Sequence, residues 1–215
     1  MNTPEDLHIM VDIETLSNDT RTGVMLAIGA VAFIVRQDIE PPSSGEYLIA
    51  TSGNMFYLPI HLVGQKQYGL CVEPETVKWW MDDEIRLDLL INNYMASQYA
   101  RPIKETFEIF AQWIKVFGSD RKLSLWSHGV TYDCVHLAEK WPMIIGASFN
   151  TVCPFRQMRD TRTLFAMFEA KYGMTPYPAE SKYHAMKHHP LYDAYIQAVA
   201  TQRALRAFLE EREDK

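Results

Sequence analysis

The chain has 215 residues, of which 47% are hydrophobic and 22% are charged. This composition excludes a disordered or collagen-like protein and predicts one packed domain over residues 1–215. The net charge of −6 argues against nucleic-acid binding through a broad basic surface, although it is compatible with an acidic cluster that binds divalent metal. The longest uncharged apolar stretch, 25–35, is too short to span a bilayer, which takes about 20 residues.

The N-terminal segment and the cysteines indicate a cytoplasmic protein. Glu5 and Asp6 stand where a secretory signal would carry basic residues, and no apolar segment precedes a cleavage site. The cysteines are widely spaced and odd in number, so neither a disulfide framework nor a zinc-binding CxxC pair is indicated. We expect all three to be reduced and mostly buried: Cys71, Cys134 and Cys153.

Antiparallel strands are predicted at the start of the fold. Residues 8–13, with the sequence HIMVDI, form a short apolar run that is typical of a strand. A polar turn at 17–23 separates them from a second strand at 24–35. The stretch SSGEYLIA at 43–50 is predicted to form a third strand.

Helices dominate the rest of the chain, since from Glu75 onward the apolar spacing approaches the helical period. The clearest helix begins at Pro102, ends at Gly118 and has one apolar face: Ile103, Phe107, Phe110, Ile114 and Phe117. A strand is predicted at 122–127, and further helices at about 132–141, 160–171 and 191–211. Strands followed by alternating helix and strand predict an α/β domain with a mixed sheet.

Two carboxylates end the first strand. Asp12 and Glu14 in VDIETL are two residues apart, which places both side chains on one face of the sheet. Adjacent carboxylates raise each other's pKa, whereas a bound Mg²⁺ or Mn²⁺ uses them as ligands. Taken alone, such a pair is more often a solvated strand end than a metal site.

Two later segments add acids and histidines. Asp133 opens the helix after the middle strand, where an acid also simply complements the helix dipole. In HHPLYDAY, Pro190 suits the first helical position, which leaves His188 and His189 outside the helix and Asp193 in its first turn. The loop before Pro190 would let His188 fold back beside Asp193.

The order of these motifs resembles the DEDDh group of 3′→5′ exonucleases, the DnaQ-like branch of the ribonuclease H-like superfamily. This implies a ribonuclease H-like mixed β-sheet flanked by α-helices, and a metal-dependent enzyme that releases nucleoside 5′-monophosphates from 3′ ends of single-stranded DNA or RNA. It implies that two Mg²⁺ or Mn²⁺ ions are held by four acids: Asp12, Glu14, Asp133 and Asp193. The resemblance leaves a homodimer open.

The general base implied by the resemblance is His188, which we expect to titrate near neutrality. His189 has the shorter spacing to Asp193, at which a sister group of exonucleases places a tyrosine. The spacing therefore favours His188.

Two segments narrow the resemblance. The segment ETVKWWMDDEIR resembles the Thr-x-x-Trp-Trp segment of DexA-type phage exonucleases and of the related mycobacterial polyadenylate-trimming exoribonucleases. The RDTRTL stretch at 159–164 also resembles the phage enzymes. His128 departs from the expected Asn or basic residue at its loop position. Because the phage enzymes favour DNA and the mycobacterial ones RNA, the sugar preference stays open.

The aromatic candidates for substrate binding are Trp79 and Trp80. On a helix, adjacent side chains diverge by about 100°. We expect one indole to pack and the other to stack on a base, although both can also be packing residues. The resemblance further implies that backbone amides around Thr15 and Leu16 hold the terminal sugar.

Basic candidates lie in FRQMRDTR, which includes Arg156, Arg159 and Arg162. These side chains are expected to contact phosphates. An equally good interpretation is a solvated helix start that is capped by Asp160.

Two further function classes compete with the exonuclease. A non-catalytic nucleic-acid-binding or interaction module on the same fold is disfavoured because all five motif residues are present. A zinc hydrolase would use His184, His188, His189 and Cys153, but no HExxH or CxxC spacing supports it. The histidines His61, His136 and His184 are expected to be surface or packed residues.

Overall fold

The computed structural model describes residues 6–118, 123–179 and 186–213. A five-stranded sheet lies at its centre in the order β3-β2-β1-β4-β5. Strands β1, β2 and β3 pair antiparallel, whereas β4 and β5 run parallel to β1, so the sheet is mixed as predicted. The strands are β1 (Leu7–Thr15), β2 (Met25–Phe33), β3 (Met55–Pro59), β4 (Leu123–Ser127) and β5 (Met158–Asp160).

Strands β1 and β2 are almost completely buried. Every residue of β2 is buried, and β1 is buried except at Asp12 and Glu14. Continuous buried runs of this kind are typical of strands that are covered on both faces. On the β4 side, the ladder of β1 ends at Met10. Asp12 and Glu14 therefore lie just beyond the part of β1 that pairs with β4.

Helices flank the sheet, which confirms the predicted α/β class. Helix α6 packs on β1, β2 and β3 and against α5, while α4 contacts β1, β4 and α3. Within the described parts of the chain, none of the helices combines the length and apolar character needed to cross a bilayer. The α-helices are α1 (Pro74–Met81), α2 (Glu84–Asp88), α3 (Ile103–Gly118), α4 (Asp133–Ile145), α5 (Thr161–Tyr172) and α6 (Pro190–Glu213). A π-helix spans Leu89–Met95, and 3₁₀ turns span Gln65–Tyr68, Phe149–Thr151 and Phe155–Gln157.

The prediction of a third strand at 43–50 is wrong. Residues 43–50 form turns, and β3 lies further along the chain at Met55–Pro59. Within the turn, the Ser43 N–H donates to the Glu46 carboxylate at 2.7 Å, and the Glu46 N–H donates to the Ser43 carbonyl at 3.1 Å. Such local hydrogen bonds compete with a strand ladder. Only Ala50 joins the sheet, through a bridge to Tyr57.

Other boundaries differ by a few residues. Helix α4 continues through Pro142 to Ile145 and ends where Gly146 adopts a left-handed conformation, four residues beyond the predicted end. The first residue of the strand predicted at 122–127 lies outside the described residues. The cysteines are free thiols; Cys134 and Cys153 are buried as expected, whereas Cys71 is exposed.

Helix α6 begins unusually close to the sheet at Gly29. A Cβ atom on Gly29 would lie 2.2 Å from the Pro190 carbonyl carbon and 2.3 Å from the Leu191 nitrogen. Beyond this contact, α6 buries a row of small residues: Ala194, Ala198, Thr201 and Ala204. The predicted apolar face is only partly buried beyond Tyr195: Ile196, Val199, Leu205, Phe208 and Leu209.

Candidate active site

Glu14, His188 and Asp193 converge at the carboxyl end of β1. One ligand atom from each residue lies within 4.8 Å of the other two, and all three side chains are partly exposed. Two carboxylates and an imidazole form a donor set that suits a divalent cation. The first strand and the start of α6, separated by more than 170 residues, thus form one site.

Asp12 and Asp133 complete an acidic cluster with Glu14 and Asp193. The charges of Asp133 and Asp193 both act on the Asp12 carboxyl. Asp133 is only 5% exposed, and it accepts a hydrogen bond from the backbone N–H of Ile13 at 3.2 Å. Because Ile13 lies between the two acids of β1, this bond fixes the start of α4 against them.

Burial and mutual repulsion make ionisation of the acidic cluster difficult. Burial raises the pKa of Asp12 and of Glu14 well above the usual range, and the neighbouring carboxylates raise it further. Burial also raises the pKa of Asp133 to about 7 and that of Asp193 to about 6, although a backbone hydrogen bond to each opposes the shift. A cation would relieve this repulsion and favour the carboxylate forms. The residues present therefore fit a divalent metal.

His188 has a strained backbone just before α6. Its φ of 70° lies in the left-handed region, which is uncommon for residues other than glycine. The His188 N–H donates to Asp193 Oδ2 at 2.9 Å, and its carbonyl accepts from the Tyr94 hydroxyl at 2.6 Å. The expected folding back of His188 onto Asp193 is confirmed. Tyr94 belongs to the π-helix, an element frequently found at functional sites.

The environment of His188 keeps its imidazole neutral. Burial lowers the pKa of His188 to about 4, and the charges of Lys187 and Arg86 lower it further. The expectation of titration near neutrality is therefore wrong for this environment. A neutral imidazole has one unprotonated ring nitrogen, which is the form that a general base requires.

His189 occupies a different environment from His188. It is fully buried, its Nε2 lies 3.0 Å from the Tyr47 carbonyl oxygen, and its ring contacts those of Tyr47 and Tyr57. These contacts make His189 a packing residue. Of the two histidines, His188 is the one that faces the acidic cluster.

The two tryptophans divide between packing and exposure. Trp80 is 1% exposed and donates its Nε1–H to the Thr15 carbonyl at 2.9 Å. Trp79 is 42% exposed; its ring centroid lies 5.0 Å from that of His188, and the Arg86 guanidinium lies 4.1 Å above it. Because Trp80 is buried, neither face of its ring is available for stacking on a base. The prediction that Trp80 binds substrate is therefore corrected.

Thr15 and Leu16 are buried at the end of β1. The Leu16 N–H donates to the Val24 carbonyl at 2.9 Å, so this amide is committed to the protein and its predicted contact with a sugar is corrected. The Thr15 hydroxyl donates to the Ser17 carbonyl at 2.8 Å and lies 2.8 Å from the Tyr132 hydroxyl. These bonds hold the chain as it leaves the site.

Two of the three predicted arginines, Arg159 and Arg162, have different surroundings. Arg159, in β5, donates to the carbonyl oxygens of Arg156 and Met158 at 2.6 and 2.9 Å. The Arg162 guanidinium lies over Gly129, where an added Cβ would be 3.2 Å from its central carbon. The positive charge of Arg162 opposes the rise in the pKa of Asp133 that burial causes. Arg162 is therefore the one beside the acidic cluster. Asp160 caps α5, as predicted.

Two residues that contact the site were missed by sequence reasoning. Gln197 donates from Nε2 to Asp12 Oδ1 at 3.0 Å. It lies four residues after Asp193, and this helical spacing is the signal that could have found it. Tyr94 reaches His188 from an element more than 90 residues away, and no sequence pattern indicates that contact.

The remaining histidines and Cys153 lie apart from this group. His128 lies 2.9 Å from the Thr161 hydroxyl, His136 is buried beside Lys140, and His61 is exposed. His184 lies outside the described residues. Within residues 6–118, 123–179 and 186–213, the group of potential metal ligands contains carboxylates and one histidine but no cysteine. The structure therefore offers no support for the zinc hydrolase.

One family model matches nearly the whole chain. The model of the Rv2179c-like 3′-5′ exoribonuclease domain matches residues 7–205, a range that includes the acidic cluster and His188. No curated protein matches the sequence.

Solved nuclease structures share the fold. Exonuclease I from Methylocaldum szegediense has a TM-score of 0.56 at 13% identity, over 94% of this chain and 40% of that one. Cell-death related nuclease 4 (CRN-4) has a TM-score of 0.54 at 14% identity, over 95% of this chain, which spans 65% of CRN-4. The nuclease domain of 3′hExo, a DEDDh family member bound to rAMP, has a TM-score of 0.53 at 11% identity, over 98% of this chain and 95% of that one. At these identities the likeness concerns the fold.

Proposed function

Because the chain belongs to the Rv2179c-like 3′-5′ exoribonuclease domain family and is by that membership a 3′–5′ exonuclease, we propose that it releases nucleoside 5′-monophosphates from the 3′ end of single-stranded nucleic acid. RNA is the proposed preferred substrate, since the matching family model is that of an exoribonuclease domain. The structural neighbour 3′hExo, which was solved with rAMP, supports a ribonucleotide on this fold.

The convergence of Glu14, His188 and Asp193 carries the proposal. Their ligand atoms lie within 4.8 Å of one another, next to two further acids, Asp12 and Asp133. Four carboxylates in a partly buried site are costly unless a cation compensates them. A protein that gained nothing from cation binding would have little reason to place them together.

The acidic cluster would hold two Mg²⁺ or Mn²⁺ ions. Carboxylate oxygens are the ligands that these ions prefer, and four carboxylates carry the charge that two divalent cations neutralise. Once bound, the ions supply Lewis-acid stabilisation of the charge that develops on the phosphate during displacement. The contribution of this chain is to orient the carboxylates, which the ladder of β1 and the hydrogen bond from Ile13 to Asp133 do.

His188 would act as the general base. Its neutral imidazole accepts a proton from the water whose oxygen forms the new bond to phosphorus. The bond between phosphorus and the 3′ oxygen breaks, and the departing 3′ oxygen takes a proton from solvent water. The products are a 3′-hydroxyl on the shortened chain and a 5′-monophosphate. The hydrogen bonds from the His188 N–H to Asp193 and from Tyr94 to the His188 carbonyl hold the base beside the acids.

The rim of the site would bind the substrate strand. Trp79 is 42% exposed beside His188, and the Arg86 guanidinium covers one face of its ring. Stacking of a base on the remaining exposed part of the indole would tolerate any base. Arg162, next to Asp133, would contact a phosphate. Thr15 would shape the floor under the terminal sugar through its contacts with Ser17 and Tyr132.

Matched RNA and DNA oligomers of one sequence, labelled at the 5′ or 3′ end, test the proposal in Mg²⁺ and in Mn²⁺. We expect a ladder from the 5′ label, immediate mononucleotide release from the 3′ label, and faster turnover of RNA. Asp12→Asn and Asp193→Asn should each retain less than about a tenth of the rate, since each removes a cation ligand. The control is Asp38→Asn, which changes an exposed acid on the loop after β2.

Each result has a distinct meaning. Equal rates for wild type and Asp12→Asn at saturating metal would remove the acidic cluster from catalysis. Faster turnover of DNA would refute the RNA preference while leaving the exonuclease intact. Strand binding without a ladder from the wild-type protein would favour the non-catalytic module.

A further inference from the structure

Gln197 is a buried amide whose side chain contacts the acidic cluster rather than the backbone. It lies on α6 one turn after Asp193, is 8% exposed, and donates from Nε2 to Asp12 Oδ1 at 3.0 Å. Its own carbonyl oxygen, Oε1, is buried and finds no hydrogen-bond partner among the described groups. A buried acceptor left unpaired destabilises a protein. Gln197 is therefore a poor choice for packing alone.

Two other buried glutamines show what a purely structural role looks like. Gln65 accepts from the Met25 N–H and donates to the Met25 carbonyl, so that it pairs with the first residue of β2. Gln202, also on α6, donates to the carbonyl oxygens of Ile34 and Gln37 in the loop after β2. Both side chains pair with backbone groups. Within the part of the chain that the structure describes, the Gln197 side chain makes its hydrogen bond to Asp12 instead.

We propose that Gln197 is a positioning residue that restrains the Asp12 carboxylate for divalent-cation binding, an inference that rests on the proposed function of this site. The amide NH₂ group is only a donor, so it pairs with a carboxylate oxygen and favours the ionised form that ligates a metal. Held by one oxygen, Asp12 keeps the other available. Partners of this kind, which hold a ligand from outside the metal's own contacts, typically change metal affinity by about 10- to 100-fold when they are removed.

Metal binding without turnover provides the test. Mg²⁺ affinity of the full chain is measured by calorimetry and by the rise of the melting temperature with Mg²⁺ concentration, for wild type, Gln197→Met and Gln202→Met. Methionine keeps the length of the side chain and removes the amide. For Gln197→Met we expect a Kd for Mg²⁺ that is raised about 10- to 100-fold, with exonuclease kcat partly restored at high Mg²⁺. Gln202→Met should lower the melting temperature and leave the Kd unchanged.

Further variants distinguish a failure of the inference about Gln197 from a failure of the proposed function. Gln197→Asn keeps the amide but is one methylene shorter and cannot reach Asp12 from the same backbone, so it should weaken Mg²⁺ binding as Gln197→Met does; it also serves if the methionine variant fails to fold. An unchanged Kd in a folded Gln197 variant, beside a wild type that binds Mg²⁺, would overturn the inference alone. If wild type and Asp12→Asn respond equally to Mg²⁺, the proposed function itself fails.

Discussion

Replacing Gly29 by alanine should damage the candidate site without touching any of its polar groups. Gly29 lies in β2, where the start of α6 crosses the sheet. The new Cβ would lie 2.2 Å from the Pro190 carbonyl carbon, 2.3 Å from the Leu191 nitrogen and 2.4 Å from the Pro190 oxygen. These are backbone atoms, which cannot rotate away as a side chain can. The start of α6 has to move, and His188 and Asp193 move with it.

The required movement is close to 1 Å. Ordinary contact begins at 3.4 Å, so the shortest distance is too small by about 1.2 Å. Overpacking of a core costs about 1–3 kcal/mol, and a domain of this size loses about 2–4 °C in melting temperature per kcal/mol. A misplacement of about 1 Å can lower a catalytic rate by about 10²-fold. We therefore expect Gly29→Ala to lose about 10²-fold in activity and about 2–12 °C in melting temperature.

The assay compares kcat/KM on a labelled RNA oligomer at a temperature where the circular dichroism of each variant shows it to be folded. Gly45→Ala is the matched control, because a Cβ there meets nothing within 4 Å and the residue lies in an exposed turn. It should behave as wild type in both measurements. A folded Gly29→Ala protein with wild-type kcat/KM would refute the argument that the close contact of α6 with β2 sets the geometry of the site.

Three further predictions follow from individual side chains. His188→Ala should lower the rate by about 10²- to 10⁴-fold at unchanged stability, whereas His189→Ala should mainly lower the melting temperature. If folded His189→Ala lost more activity than His188→Ala, the assignment of His188 as the base would be contradicted. Trp79→Ala should weaken binding of an oligomer by about 1–3 kcal/mol, roughly 5- to 150-fold, and leave activity on a minimal phosphodiester unchanged. Trp80→Ala should instead cost about 3–5 kcal/mol of stability. Equal behaviour of the two variants would exclude stacking. Burial lowers the pKa of Lys140 from 10.5 to about 8, so between these pH values the unfolded chain binds one more proton than the folded protein. The stability of wild type relative to Lys140→Met should therefore rise from pH 8 to pH 10.5. Denaturant titrations at four pH values measure this stability difference, and a difference that does not change with pH would show that Lys140 titrates normally.

The acids of the site could be predicted because their placement follows from local rules. The two-residue period of a strand puts Asp12 and Glu14 on one face, and a proline at the first helical position leaves His188 in the preceding loop. Both rules need only adjacent residues. The structure has Pro190 at the start of α6 and His188 folded back on Asp193.

Contacts between distant segments could not be predicted in this way. The stretch at 43–50 has strand-like composition, but the local pairing of Ser43 with Glu46 competes with the ladder. The hydrogen bond from Tyr94 to His188 joins a π-helix to a loop far along the chain. Which of the two tryptophans is buried depends on a partner in β1, the Thr15 carbonyl. Each outcome is decided by tertiary packing, which sequence periodicity does not encode.

The geometry of the site depends mainly on backbone contacts. The ladder between β1 and β2 fixes Asp12 and Glu14, the Ile13 N–H fixes Asp133, and the close contact at Gly29 fixes the start of α6. Backbone contacts place few demands on the other side chains. Nuclease structures that are only 11–14% identical can therefore have the same fold. The tolerance should end at Gly29, since every larger residue begins with the Cβ atom that the α6 backbone excludes.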